Sequence, residues 1–213
     1  MNREKFISGE MYHIFNRGVD KRIVFSDKRD LDRFFRSMII FNSIKPIGSL
    51  YEQSFLVEKQ KSKPLVKFIA YNLLPNHFHF ILEQAVEGGI SEFMKRLLGG
   101  YSWYFNKKNK RSGSLFQGTF KSKHIDSNEY LLHISVYVNL NDLLGGVLGG
   151  ETTKLGKSSW NEYINQEKVS EKICFGKGVI LEQFDSVEDY KKFADSSLED
   201  IRENKKEYKD LEE

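Results

Sequence analysis

The strongest constraint on the fold lies mid-chain, where two apolar runs are separated by one tight break. Between Leu65 and Leu74, Val66, Phe68 and Ala70 alternate with Lys67, Ile69 and Tyr71, and His77 to Glu83 forms a second run. Alternation with a period of two is the pattern of a strand. Pro75-Asn76 between the runs is turn chemistry, since proline presets φ and asparagine bonds nearby backbone. The pair predicts an antiparallel hairpin. A two-stranded hairpin is marginal alone, so the rest of the chain must flank and cover it.

The flanks supply what is needed. Met11 to Phe15 is a strand candidate running into a turn at Asn16-Arg17-Gly18. Ser26 or Asp27 caps a helix whose apolar face is Leu31, Phe34, Phe35, Met38, Ile39 and Phe41. After the hairpin, Gly88-Gly89 and Ser91 open a helix reaching Lys108, with Gly99-Gly100 inside it implying a kink or a close backbone approach. Phe116 to Ile125 is a further strand candidate, and Ser127 caps a helix over Tyr130 to Leu140. The order β-α-β-β-α-β-α predicts an α+β domain, an antiparallel sheet with helices on one face. Residues 43–64 are a polar excursion with a candidate short element at 54–58. Beyond a Gly-rich joint at 145–150, helices are expected near 179–184 and 186–208, so the division is a core at 1–145 and a partly helical, acidic extension at 146–213.

Charge is unevenly distributed. The net charge of +3 says little, but residues 95–123 carry Lys95, Arg96, Lys107, Lys108, Lys110, Arg111, Lys121 and Lys123 and no acidic residue. Tyr101, Trp103, Tyr104, Phe105, Phe116 and Phe120 are interleaved with them. Cations pair with phosphates and flat rings stack on bases, so this stretch fits single-stranded nucleic acid as well as it fits a core with a wet face. The one cysteine, Cys174, excludes an internal disulfide and a cysteine zinc site. No apolar run reaches the length of a membrane span and the N-terminus lacks a signal-peptide core, so the expected location is cytoplasmic. No GxxxxGK[ST] motif supports an ATPase.

His77-Phe78-His79 is the sharpest local motif. On a strand both imidazoles project to one face while Phe78 points to the other, and two neutral imidazoles together can grip a divalent cation. With five histidines in 213 residues such a pair arises by chance about one time in ten, so further donors are needed. Tyr137 and Asn141, spaced i, i+4, lie on one helical face. Asn141 could add an oxygen ligand, and a phenol beside the metal loses its proton more easily. His13 sits in the first strand, with a core, DNA-facing or metal-adjacent place all open; His124 and His133 are expected to be structural or solvent-facing.

In order along the chain stand Tyr12-His13-Ile14-Phe15-Asn16-Arg17-Gly18, Leu74-Pro75-Asn76-His77-Phe78-His79, Tyr104-Phe105-Asn106, Gly113 to Ser122 (GSLFQGTFKS), Tyr137-Val138-Asn139-Leu140-Asn141, and Ser158-Ser159-Trp160 with Tyr163. This series resembles the single-tyrosine HUH transposases, in particular their REP-associated tyrosine transposase branch, over about residues 11–163. The resemblance implies a ferredoxin-like HUH fold in which His77, His79 and Asn141 bind Mg²⁺ or Mn²⁺ and Tyr137 is the nucleophile. It also implies cleavage of single-stranded DNA beside a hairpin, a 5′-phosphotyrosine intermediate, later rejoining, and location at the nucleoid when DNA is bound. Arg17, Lys107, Lys108, Arg111, Lys121 and Lys123 are the candidate DNA contacts. The sequence departs from the family where Asp142-Leu143-Leu144 replaces the usual proline and basic residue after the asparagine. A hairpin-binding relative without cleavage and a metal-dependent phosphodiesterase using water are the competing readings, and both monomer and homodimer remain open.

Overall fold

The computed structural model describes residues 5–46, 48, 62–144, 155–165 and 172–203. The candidate element at 54–58, the joint at 145–150 and the chain beyond 203 lie outside the described residues. Five strands form one antiparallel sheet: β1 (Met11–Arg17), β2 (Val66–Leu74), β3 (His77–Gln84), β4 (Lys121–His124) and β5 (Lys157–Ser158), in the order β4-β1-β3-β2-β5. The expected hairpin is β2-β3, turning at Pro75 and Asn76, and it occupies the interior of the sheet.

One face of the sheet is largely apolar, with Asn16 and Gln84 buried at its ends. Ile14, Leu73, Phe78, Phe80 and Leu82 meet the first helix, α1 (Lys28–Ile40), and the second, α2 (Gly89–Lys108). In α1, the Asp27 side chain accepts from the Asp30 amide as cap, and Leu31, Phe34, Phe35 and Met38 form the buried stripe. In α2 the stripe is Ile90, Phe93, Met94, Leu97, Tyr101 and Phe105. Of the glycine pair inside α2, Gly100 is the one with a packing reason: a Cβ there would sit 3.1 Å from the Phe41 ring. The helix continues through it.

The expected placement of helices on one face describes α1 and α2, and the structure adds a second layer on the other face. There α3 (Asn128–Asn139), α4 (Trp160–Ile164), α5 (Gly178–Leu181) and α6 (Val187–Glu203) pack with Ile69, Ala70 and Ile81. Ser127 caps α3 by accepting from the Tyr130 amide, as its position predicts. Consecutive residues Val136, Tyr137, Val138 and Asn139 are all buried, because α3 lies between the sheet and α6.

Three local readings change. The alternation in β2 breaks at a bulge between Phe68 and Ala70, so Tyr71 and Leu73 share the α1/α2 face with Val66 and Phe68, and Ile69 and Ala70 turn to the other side. The strand expected over 116–125 shrinks to Lys121–His124. Phe116 makes only an isolated bridge to Gly18, and Gly118 at φ +63° is in a left-handed conformation no strand continues through. Finally, α3 ends at Asn139, and Asn141 opens a separate 3₁₀ turn, Asn141–Leu144.

Candidate active site

Strand parity places the polar groups together. On the face toward α3, register sets Arg17 opposite His77 and Phe15 opposite His79 across β1-β3, with Asn72 opposite His79 on the β2 side. Lys121 and Lys123 of β4 pair with Phe15 and His13, so the same parity carries them to the edge of this face. Gly18 closes the row. A Cβ there would fall 2.3 Å from the Arg22 carbonyl oxygen, so only glycine lets the chain turn directly after Arg17.

The tyrosine helix is anchored above this row through its last two residues, Val138 and Asn139. Asn72 Nδ2 donates to the Val138 carbonyl at 2.9 Å, satisfying one of the carbonyls a helix C-terminus leaves open. Asn139 accepts from Ser159 Oγ and donates to the Tyr190 hydroxyl at 3.2 Å. Ser159 Oγ in turn receives the Tyr71 amide at 2.9 Å. This chain of bonds sets the Tyr137 ring edge-on to His79, with centroids 5.4 Å apart and planes at 88°. Tyr137 is 1% exposed and His77 4%.

The tautomer of His77 follows from its neighbours. Its Nδ1 lies 2.6 Å from Asn76 Oδ1, while Asn76 Nδ2 donates to the Lys21 carbonyl at 3.2 Å, which fixes which end of the amide faces the ring. An amide oxygen only accepts, so Nδ1 carries the proton and Nε2 keeps its lone pair. That lone pair faces Asn141 Oδ1 at 3.4 Å. Asn141 Nδ2 is buried with no hydrogen-bond partner among the described residues. With Oδ1 turned inward two acceptors confront each other, an arrangement that a cation between them satisfies. His79 lies beside His77, with ring centroids 5.1 Å apart, and its Nε2 is buried with no hydrogen-bond partner among the described residues. His79 Nδ1 sits 3.0 Å from His13 Nε2.

All three histidines are held neutral. Burial lowers His77 to about 4, helped by the Arg17 charge and opposed by the Asn141 contact. Burial and then Lys123 lower His13 to about 3. His79 is pushed well below the usual imidazole range by burial first, then by His77, His13 and Arg17. Neutral imidazole is the metal-binding form. Two nitrogens and an amide oxygen, with a buried unsatisfied Nε2 among them, fit a divalent cation, with nitrogen-tolerant Mn²⁺ matching better than Mg²⁺. No group of three His, Cys, Asp or Glu side chains suited to a metal occurs among the described residues, and the amide oxygen stands outside that class of donor.

The sequence-derived candidates thus divide. His77, His79, Tyr137 and Asn141 come together although the helix expected to carry both of the last two stops short of Asn141. Arg17, Lys121 and Lys123 border them. Lys107 and Lys108 end α2, on the opposite layer. Lys107 lies 4.9 Å from the Trp103 ring, and Lys108 pairs with Asp30 at 2.6 Å and Asp27 at 2.9 Å. Arg111 bonds Asn106 and the Ser114 carbonyl in the following turn. Sequence reasoning gave no site role to Asn72 and Asn76. Their signal was adjacency: Asn76 precedes His77, and Asn72 lies across the hairpin from His79.

Comparison with known proteins adds a family match over part of the chain and a fold. Residues 49–141 match the family model described as "Transposase IS200 like". A solved REP-associated tyrosine transposase bound to a REP hairpin has the same fold, at 14% identity and a TM-score of 0.52, over 78% of this chain and 86% of that one. No curated protein matches the chain.

Proposed function

We propose, from the match of residues 49–141 to the IS200-like transposase family model, that this chain cuts and rejoins single-stranded DNA at His77, His79, Asn141 and Tyr137. The observation that carries the reading is the pair of facing acceptors, His77 Nε2 and Asn141 Oδ1, 3.4 Å apart beside the unsatisfied Nε2 of His79. A divalent cation held there supplies Lewis-acid polarisation of a phosphate oxygen. Asn76 fixes the His77 tautomer, and Asn72 with Asn139 fixes the helix that carries Tyr137. Tyr137 forms a bond from its phenolic oxygen to phosphorus as the bond from phosphorus to O3′ breaks. The phenolic proton is balanced by the one O3′ gains, which leaves a 5′-phosphotyrosine and a free 3′-hydroxyl. Because the ester is kept on the protein, the 3′-hydroxyl of another end can reverse the step without added energy.

Arg17, Lys121 and Lys123 are the proposed phosphate contacts near the reacting bond. Lys107, Lys108 and Arg111, one layer away, would meet DNA only beyond it. The hairpin in the solved relative's complex suggests hairpin-bearing DNA as the ligand. The division into a core at 1–145 and an extension at 146–213 belongs to the same proposal, with Ser159 and Tyr190 as the extension's grip on the tyrosine helix.

The test is a hairpin-bearing single-stranded oligonucleotide incubated with the protein and Mn²⁺. A covalent protein–DNA adduct is expected, absent in Tyr137→Phe. Cleavage without adduct would establish a water-using phosphodiesterase, and binding without cleavage a recognition module; either outcome overturns the reading.

A further inference from the structure

His13 is buried completely, 66 residues before His79 in sequence, yet its Nε2 lies 3.0 Å from His79 Nδ1. The two strands place them as diagonal neighbours: His13 is opposite Ile81, and His79 is opposite Phe15. Their ring planes are within 11°, with centroids 5.2 Å apart. The centroids are thus farther apart than the two nitrogens by about two ring radii, so the rings meet edge to edge in a shared plane. That is where an imidazole N–H and an imidazole lone pair both lie. The other nitrogen of each ring, His13 Nδ1 and His79 Nε2, is buried with no hydrogen-bond partner among the described residues. Between two neutral rings only one proton can occupy the shared bond, and its side decides which lone pair His79 offers at the site.

We propose that His13 is a positioning residue: it accepts the Nδ1 proton of His79 and so holds the His79 Nε2 lone pair toward the cation. This rests on the metal reading above. Donation from His79 Nδ1 to His13 Nε2 requires the His13 proton on Nδ1 and frees His79 Nε2 to ligate. The opposite direction would put a proton on His79 Nε2 and block it. Asn76 already does this for His77 through an oxygen that can only accept. His79 has no such oxygen at Nδ1, and His13 fills that place with a group whose tautomer is free to follow the metal. Partners of ligating histidines act in this way by fixing tautomer and ring orientation. His13 does so on the same face of β1 as Phe15, whose ring lies 4.8 Å away and steadies it.

The experiment uses the full chain with ¹⁵N-labelled histidines. In the Mg²⁺-loaded wild type, His79 is expected to show a protonated Nδ1, with nitrogen–nitrogen coupling across the bond to His13 Nε2. A protonated His79 Nε2 under these conditions, or no coupling, overturns the proposal and needs no variant. Mn²⁺ titration followed by electron paramagnetic resonance then compares variants. His13→Phe keeps a ring against Phe15 but removes the acceptor, and should weaken Mn²⁺ binding about 10- to 100-fold. His13→Gln, which returns an acceptor oxygen, should recover most of that loss. Unchanged affinity in a folded His13→Phe removes this inference alone. Absence of Mn²⁺ binding by the wild type removes the metal reading and this inference together.

Discussion

The two faces of the β2-β3 hairpin carry alternate residues of the same strands and serve opposite ends. Toward α1 and α2, Phe78, Phe80 and Leu82 stack on Phe34, Phe68 and Phe116, all apolar. Toward α3, the same strand presents His77 and His79 to His13, Asn141 and Tyr137. Both faces are equally dry, but only the first gains from it: burying apolar surface stabilises, whereas burying imidazoles opposes their charged form and leaves ring nitrogens unsatisfied. One face therefore holds the sheet together, and that support lets the other keep imidazole nitrogens buried and unsatisfied.

If this division is right, the largest effects on stability come from the apolar face. Phe78→Ala should cost about 3–5 kcal/mol by urea unfolding; a loss under about 1 kcal/mol would show that the two layers share the load more evenly. Asn141→Ala should reverse the pattern. It removes the oxygen facing His77, so metal-dependent cleavage should fall by at least about tenfold while hairpin DNA binding and folding are retained; wild-type cleavage would refute the ligand assignment.

Acid should separate the faces as well. In the metal-free protein His13 and His77 titrate near 3 and 4 and His79 lower than an ordinary imidazole, whereas the unfolded chain titrates near 6.5. The unfolded state thus binds more protons between these values. The stability is fully present above about pH 6.5 and is lost as pH falls toward 4 and 3. Urea midpoints measured at pH 7.5 and 5 should show that drop, and a flat profile would mean that the histidines are less buried than the structure places them. The smallest effect is expected at the rim. Lys121→Ala or Lys123→Ala should each lower the salt slope of DNA binding by about 1, with folding unaffected, while Lys107→Ala in the opposite layer should change it less.

A good deal of this was legible beforehand. The hairpin, the caps at Asp27 and Ser127 and the shared face of His77 and His79 follow from local rules: period-two alternation, turn chemistry and side chains that bond nearby amides. Local rules also mislead locally. The same alternation puts Ala70 with Phe68, and only pairing with β3 reveals the bulge that exchanges it for Tyr71. Helical spacing puts Asn141 on the tyrosine helix, although that helix ends at Asn139 and a 3₁₀ turn carries the amide to His77.

Sequence alone determined which residues share a face of the unbulged strand β3, because uninterrupted pleating alternates side chains between the two faces. Tertiary structure decided which faces meet. The basic run from 95 to 123 is continuous in sequence, yet α2 and β4 divide it between the two layers, and Lys108 turns inward to Asp30. His13 and His79 are distant in sequence and become hydrogen-bonded neighbours because β1 lies beside β3 in one register. Such pairings depend on the order of strands in the sheet, which burial of the whole molecule selects and no single segment encodes.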